Sequence, residues 1–324
     1  MKRARQAAID AVRTAAVLTT GVQRELGGGA PGKKDKADKS PVTVADFGSQ
    51  ALVCRGLSEA FPDDPVVGEE EAADLSGAEQ ASFRADVVAR VSAALARDAS
   101  ETEVLRWIDR GRGSAGRRFW TVDPVDGTKG FLRGDHYAIA LALLEDGQPC
   151  LAALGCPHLA GPDGRPGALY VASRGEGTRL LPLHGDDDGV EVSVSAVQRN
   201  AEIRIVESFE PGHSDHGWSG RFAAAVGLAA DPVRIDSQAK YAVVAGGGAE
   251  LYLRRPTQRG YVEKIWDHAA GALVVAEAGG RVTDVRGAPL DFSRGRLLSN
   301  NLGVVASNAT IHDRVLAALE SLAD

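Results

Sequence analysis

Two aspartates three residues apart, in Asp123-Pro124-Val125-Asp126-Gly127-Thr128, are the residues of this sequence best suited to chemistry. They follow Phe119-Trp120-Thr121-Val122, an aromatic and β-branched run that reads as a short strand ending at Asp123. Pro124 and Gly127 then set a turn that swings Asp126 back beside Asp123. Two carboxylates about 4 Å apart repel by roughly 4 kcal/mol at an effective dielectric of ~20. Such a pair either shares a proton or binds a cation, and hard oxygen ligands with a backbone carbonyl between them suit Mg²⁺. An ordinary Asp-Pro, Asp-Gly surface turn is the other reading, and these residues alone leave both open.

Further acidic residues stand where elements begin or end. Asp46 lies at the start of a helix over 45–60, after the extended Pro41-Val42-Thr43-Val44, and by itself it reads as a first-turn carboxylate facing the helix dipole. Glu69 follows the short strand Val66-Val67 in Gly68-Glu69-Glu70-Glu71; an acidic run is usually a solvated face, but this one begins at a strand end. Asp267, in Trp266-Asp267-His268-Ala269-Ala270-Gly271, falls in the first turn of a helix over 266–278 and could serve merely as its cap.

The elements that must position these residues follow from periodicity. An amphipathic helix over 5–26 buries Ile9, Val12 and Ala16 and stops at Gly27-Gly28-Gly29, a linker without the Lys-Ser/Thr pair of a phosphate loop. Residues 33–40 form a polar loop. A helix covers 78–97, a shorter one 100–105, and strands fall at 137–144, 151–156 and 168–173, with a loop over 157–166. Residues 178–189 read as a loop whose acidic run, Gly185 to Gly189, marks a boundary. Beyond it, strands at 190–194, 203–206, 233–235 and 251–253 alternate with helices at 219–227, 237–245, 266–278 and 311–322. The division expected is an α+β domain over 1–184 and an α/β domain over 185–324.

Composition narrows the function classes. A 324-residue chain that is 44% hydrophobic and 25% charged is that of a soluble globular protein. No apolar run approaches the ~20 residues that span a bilayer, and the basic N-terminus leads into a mixed helix, not an apolar signal core. A net charge of −7 argues against a nucleic-acid polymer as partner, whereas a small phosphorylated ligand is compatible if metals reverse the local sign. Cys54, Cys150 and Cys156 lack metal or redox spacing and read as buried thiols of a reducing compartment, so the expected location is the cytoplasm.

Taken together, Gly68-Glu69-Glu70, Asp123 to Thr128, and Trp266 to Gly271 with Glu277-Ala278-Gly279-Gly280 closely resemble the Mg²⁺-dependent, Li⁺-sensitive phosphatase superfamily that includes inositol monophosphatase. The resemblance runs from about residue 36 to near the C-terminus. Within that superfamily the chain is similar to the 3′(2′),5′-bisphosphate nucleotidases, on Lys39-Ser40-Pro41-Val42-Thr43-Val44-Ala45-Asp46, Thr128-Lys129-Gly130-Phe131-Leu132-Arg133-Gly134, Asp236-Ser237-Gln238-Ala239-Lys240-Tyr241 and Glu263 to His268.

The resemblance implies a layered αβαβα sandwich, two to three Mg²⁺ ions per site, and a monomer that takes adenosine 3′,5′-bisphosphate and returns AMP. It further implies that Glu69, Asp123 and the carbonyl of Val125 hold one ion, and that Asp123, Asp126 and Asp267 hold another. Thr128 and Asp46 then hold the nucleophilic, metal-activated water, while Thr128, His213, Ser237, Lys240, Arg254 and Asp267 meet the nucleotide. Arg255 stands where an apolar residue is expected, which leaves open which of the two arginines faces the nucleotide. The alternatives carried forward are an inositol polyphosphate 1-phosphatase and a non-catalytic nucleotide-binding regulator.

Overall fold

A computed structural model of the chain describes residues 1–26, 33–35, 41–185, 187–209, 216–255 and 260–322. Its first half runs α1 (Lys2–Leu26), β1 (Lys33–Asp35), β2 (Pro41–Thr43), α2 (Val44–Ala60), β3 (Val66–Gly68), α3 (Ala81–Leu95), α4 (Glu101–Asp109), β4 (Arg118–Asp126), α5 (Thr128–Arg133), β5 (Ala138–Glu145), β6 (Gln148–Ala160), β7 (Pro166–Ser173), β8 (Thr178–Pro182) and β9 (Val190–Val192). There follow β10 (Ile205–Glu207), α6 (His216–Val226), β11 (Val233–Arg234), α7 (Ala239–Ala245), β12 (Leu251–Arg254), α8 (Ala269–Glu277), β13 (Gly280–Thr283), β14 (Val304–Asn308) and α9 (His312–Ser321).

Two large sheets organise the described residues, beside the two-stranded β1–β2 pair. The larger has seven strands in the sequential order β3-β4-β5-β6-β7-β8-β9, with β3 parallel to β4 and the remaining pairs antiparallel. The smaller has five, in the order β11-β10-β12-β14-β13, with parallel pairs at β10 and antiparallel pairs at β14.

Strand alternation sorts the apolar residues into layers. Trp120, Val122, Ile139, Leu141, Leu143 and Leu169 face α1 and α2. Each such large side chain contributes about 1.5–3 kcal/mol by leaving water. Their neighbours Ala138, Ala140, Ala142, Ala152, Ala168 and Ala172 face the opposite way, onto α7 and α8. These small side chains let the helices lie close, and α8 also meets α7 closely at Gly271, where an added Cβ would fall 2.2 Å from Tyr241. The inner face of the small sheet, Val206, Tyr252, Val304 and Ala306, covers the far side of that helix layer. Its outer face, Ile205, Leu251, Leu253 and Val305, is closed by Phe222 of α6 and by Val315 and Leu319 of α9. The succession helix, sheet, helix, sheet, helix is the αβαβα sandwich expected.

Several details differ from the sequence reading. β4 does not end at Asp123 but runs on to Asp126, with an irregularity between the two aspartates. Residues 33–35, expected in a loop, form β1 and pair with β2, and α4 extends to Asp109. The loop expected over 157–166 is shortened because β6 continues to Ala160 and pairs there with Pro166. Residues 178–182, expected in a loop, form β8, and β9 pairs with it, so the seven-stranded sheet spans the division expected at 184–185. Strands β13 and β14 had no counterpart in the sequence reading. Gly27-Gly28-Gly29 and His213 lie outside the described residues.

Candidate active site

β4 supplies the first two carboxylates, and an irregularity in the strand makes them neighbours. Asp123 is opposite Ala140 and Asp126 opposite Ala138, so three steps along β4 match two along β5. One extra residue reverses the side-chain alternation. Val122 and Val125 consequently share the α1–α2 face, while Asp123 and Asp126 both lie opposite residues of the α7–α8 face. Pro124 suits this position because it has no N–H to leave unpaired, and its carbonyl accepts the Ser49 hydroxyl at 2.8 Å.

The chain then turns at Gly127, φ 87°, where a side chain would stand 2.9 Å from Ser237 Cβ. α5 begins at once with Thr128, whose Oγ1 lies 3.3 Å from Asp46 Oδ1 and 3.2 Å from the Val125 carbonyl oxygen. Asp46 is fixed by a capping box at the start of α2. Its Oδ2 accepts the Thr43 backbone N–H at 2.8 Å and the Thr43 hydroxyl at 2.7 Å, which directs Oδ1 to Thr128.

Glu69 comes to the same place because β3 runs parallel to β4 with Gly68 beside Val122. Its segment is held on both sides. Buried Gln50 accepts the Glu70 N–H at 2.9 Å and donates to the Glu70 carbonyl at 2.6 Å, and Arg296 donates to the Gly68 carbonyl at 2.8 Å.

Asp267 lies in the segment just before α8, whose first turn begins at Ala269; it is therefore not in the first helical turn as expected from sequence. Gln238 ties this segment to β4. Its N–H donates to Asp126 Oδ2 at 2.6 Å, its amide donates to the Trp266 carbonyl at 2.9 Å, and its amide oxygen accepts the Gly271 N–H at 3.2 Å. The preceding Ser237 is held at φ 70°, a conformation rare outside glycine and concentrated at functional sites.

Crowding of negative charge is the dominant electrostatic feature. Burial, and then Glu69, Asp126, Asp267 and Asp46, push the Asp123 carboxyl well above the usual range. Burial raises Asp267 likewise, against the pull of Arg254, and raises Asp126 against Lys240 and the Gln238 N–H. Asp123 Oδ1 is buried with no hydrogen-bond partner among the described residues. A buried carboxylate oxygen without a donor, among other carboxylates, is a site short of positive charge.

Among the described residues, Lys240 and Arg254 border the cluster. Lys240 is buried, donates to Ser208 Oγ at 3.0 Å, lies over the Tyr252 ring at 5.3 Å, and is lowered by burial to about 8. Arg254 grips Glu263 with Nε at 2.9 Å and Nη2 at 2.8 Å, and the same Nη2 is 3.8 Å from Asp267. Arg255 is exposed and lies 4.3 Å over the Trp218 ring, so Arg254 is the arginine at the site.

Glu263, Asp267 and His268 also place ligand atoms within 4.8 Å of one another. Glu263 and His268 are already engaged, however: Tyr241 donates to His268 Nδ1 at 2.7 Å and His268 Nε2 donates to Glu263 at 3.1 Å. Burial favours the neutral Glu263 acid, but Arg254 and His268 outweigh it and hold the carboxyl at about 2. Glu263 and His268 thus serve to hold Arg254.

The sequence-predicted Asp46, Glu69, Asp123, Asp126, Thr128 and Asp267 thus gather at one place, with Ser237, Lys240 and Arg254 beside them. Gln50, Gln238, Glu263 and His268 had no assigned role in the sequence reading, although Gln238, Glu263 and His268 fall inside its quoted motifs.

The sequence profile of the inositol monophosphatase family matches residues 1–323. The chain belongs to the inositol monophosphatase family. A Schizosaccharomyces pombe protein named 3′(2′),5′-bisphosphate nucleotidase is 43% identical over 331 residues, covering 97% of this chain and 94% of that protein. An Emericella nidulans protein of the same name is 41% identical over 351 residues, covering 99% and 98%. The solved structure of a Thermotoga maritima IMPase shares the fold, with a TM-score of 0.67 at 21% identity over 100% of this chain and 98% of that one. The inositol monophosphatase family depends on metal ions, and this donor set, all oxygen with an unpartnered oxygen of Asp123, fits a hard cation. No helix among the described residues is long and apolar enough to cross a membrane.

Proposed function

We propose that this chain is a 3′(2′),5′-bisphosphate nucleotidase. It hydrolyses the 3′-phosphate of adenosine 3′,5′-bisphosphate to AMP and phosphate, and acts likewise on the 2′,5′-isomer and on 3′-phosphoadenosine phosphosulfate. The observation that carries this reading is buried Asp123, crowded by Glu69, Asp126, Asp267 and Asp46, with one oxygen unpartnered. The names of relatives at 43% and 41% identity support the choice of a nucleotide bisphosphate.

Glu69, Asp123 and the Val125 carbonyl would hold one Mg²⁺, and Asp123, Asp126 and Asp267 a second, with Asp46 near a third. Bound there, Mg²⁺ neutralises charge on the phosphoryl and leaving oxygens and lowers the pKa of water toward neutrality.

The chain's own groups do the rest. Thr128 Oγ1 donates its proton to Asp46 Oδ1 and accepts that of the attacking water, so the hydroxyl both aims the water and passes on its proton. Asp46 is held for this task by Thr43. The water oxygen bonds to phosphorus as the bond from phosphorus to the ribose oxygen breaks, and that oxygen takes a proton from solvent. Lys240 and Arg254 provide the positive charge for the phosphate that is not cleaved. A thiol nucleophile is unsuited, since burial pushes Cys54 up to about 12 and Cys150 up to about 11. The three buried free cysteines support a reducing, cytoplasmic setting.

Phosphate release in Mg²⁺ from adenosine 3′,5′-bisphosphate, its 2′,5′-isomer and inositol 1,4-bisphosphate tests the reading. Faster turnover of the nucleotides supports it. Preference for the inositol bisphosphate overturns the substrate, and nucleotide binding without phosphate release overturns the activity.

A further inference from the structure

We infer that Glu263 is a positioning residue that keeps Arg254 from neutralising Asp267, and so keeps Asp267 available to a metal ion. The inference rests on the reading of Asp267 as a metal ligand. Arg254 Nη2 bonds Glu263 Oε2 at 2.8 Å and stands 3.8 Å from Asp267 Oδ2, so one nitrogen lies between two carboxylates and is committed to one of them. The commitment is structural. Arg254 Nε makes the second prong of the fork to Glu263 at 2.9 Å, and Glu263 is itself anchored by His268, which is anchored by Tyr241. Glu263, His268 and Tyr241 are 3%, 0% and 0% exposed, so water offers none of them an alternative partner.

A cation this close to a metal ligand is a competitor for it. If the fork opened, Arg254 could swing the remaining distance onto Asp267 and form the ion pair there. Closing from 3.8 Å to a contact of about 2.8 Å, at an effective dielectric of ~20, strengthens the attraction enough to weaken a competing cation about tenfold. Glu263 spends its carboxylate on Arg254 and His268. Its effect passes through Arg254.

The test is a double-mutant cycle read by Mn²⁺ binding to the full-length protein without nucleotide, with free Mn²⁺ measured by electron paramagnetic resonance. Glu263→Gln is expected to weaken Mn²⁺ binding about tenfold. Arg254→Met should raise Mn²⁺ affinity about tenfold more in the Glu263→Gln background than in the wild-type background. An equal rise in both backgrounds would overturn the inference, because Glu263 would then act by its own charge or as a strut. Glu263→Asp, one methylene shorter, reads the same release at smaller amplitude and serves if Glu263→Gln does not fold; an unchanged affinity in it overturns the inference too. Asp267→Asn tests the underlying reading separately: Mn²⁺ affinity unchanged there removes Asp267 from the metal site, whatever Glu263→Gln does.

Discussion

Asp46→Asn separates the structural and chemical duties of one side chain. Oδ2 accepts two hydrogen bonds from Thr43, at 2.8 and 2.7 Å, and only an oxygen can do so. The asparagine must therefore keep its oxygen toward Thr43 and turn its NH₂ toward Thr128, whose Oγ1 is 3.3 Å from Oδ1 in the native protein. The polarity of that contact reverses. Thr128 becomes an acceptor from the amide and can no longer pass on a proton from water. Losing a positioned base costs about 10²–10⁴ in rate, or roughly 2.7–5.4 kcal/mol in the barrier. The capping interaction survives through the amide oxygen, and losing the first-turn charge that faces the helix dipole should change stability by less than ~1 kcal/mol. Asp46→Ala should lose both, leaving the buried Thr43 N–H without its acceptor at a further ~1–3 kcal/mol of unfolding free energy. The assay is kcat on adenosine 3′,5′-bisphosphate at saturating Mg²⁺, alongside urea unfolding. A kcat within tenfold of wild type in Asp46→Asn, with unchanged stability, would refute the proton path through Thr128.

Asp123→Asn should lower kcat by at least ~10³, because the residue would be shared between two ions; a loss below tenfold would remove it from the metal site. Without metal, the same substitution should stabilise the protein. Asp123, Asp126 and Asp267 are raised from an ordinary value of 3.8, so in that window the folded state holds more protons than the unfolded one. Stability then falls as pH rises from about 4 through the raised values. Melting in EDTA should be lower at pH 8 than at pH 5, with a smaller drop in Asp123→Asn; equal drops would mean that the pH dependence does not come from the crowded carboxylates. Gln238→Ala would orphan the Trp266 carbonyl and the Gly271 N–H, each worth about 1–3 kcal/mol when buried. Urea unfolding should show a loss of ~2–6 kcal/mol, together with a higher Mg²⁺ requirement; a loss below ~1 kcal/mol would mean the bridge is not formed.

What sequence could reveal was set by how local each signal is. Asp46, Glu69, the Asp123 and Asp126 pair, and Asp267 stand in short motifs with turn residues beside them, and these came together as expected. The irregularity in β4 was invisible because its cause is the match to β5, a partner chosen by the fold; Pro124 alone reads as a strand end. β8 and β14 depend in the same way on β7 and β12, their neighbours in space. Gln238 lay inside a motif, but its two amide contacts reach 28 and 33 residues along the chain, and no spacing rule announces them.

The alanines of the large sheet have a consequence for how such a site can drift. Ala138 and Ala140 sit directly opposite Asp126 and Asp123, and they form part of the floor on which α8 rests. The gap that an ion must fill is therefore fixed by the thickness of that floor as much as by the acids themselves. A valine at Ala140, buried at 2% exposure, would lift the helix layer and Asp267 with it. A displacement of about 1 Å is enough to cost ~10²-fold in rate. Catalysis can thus be tuned, or lost, with every carboxylate still in place.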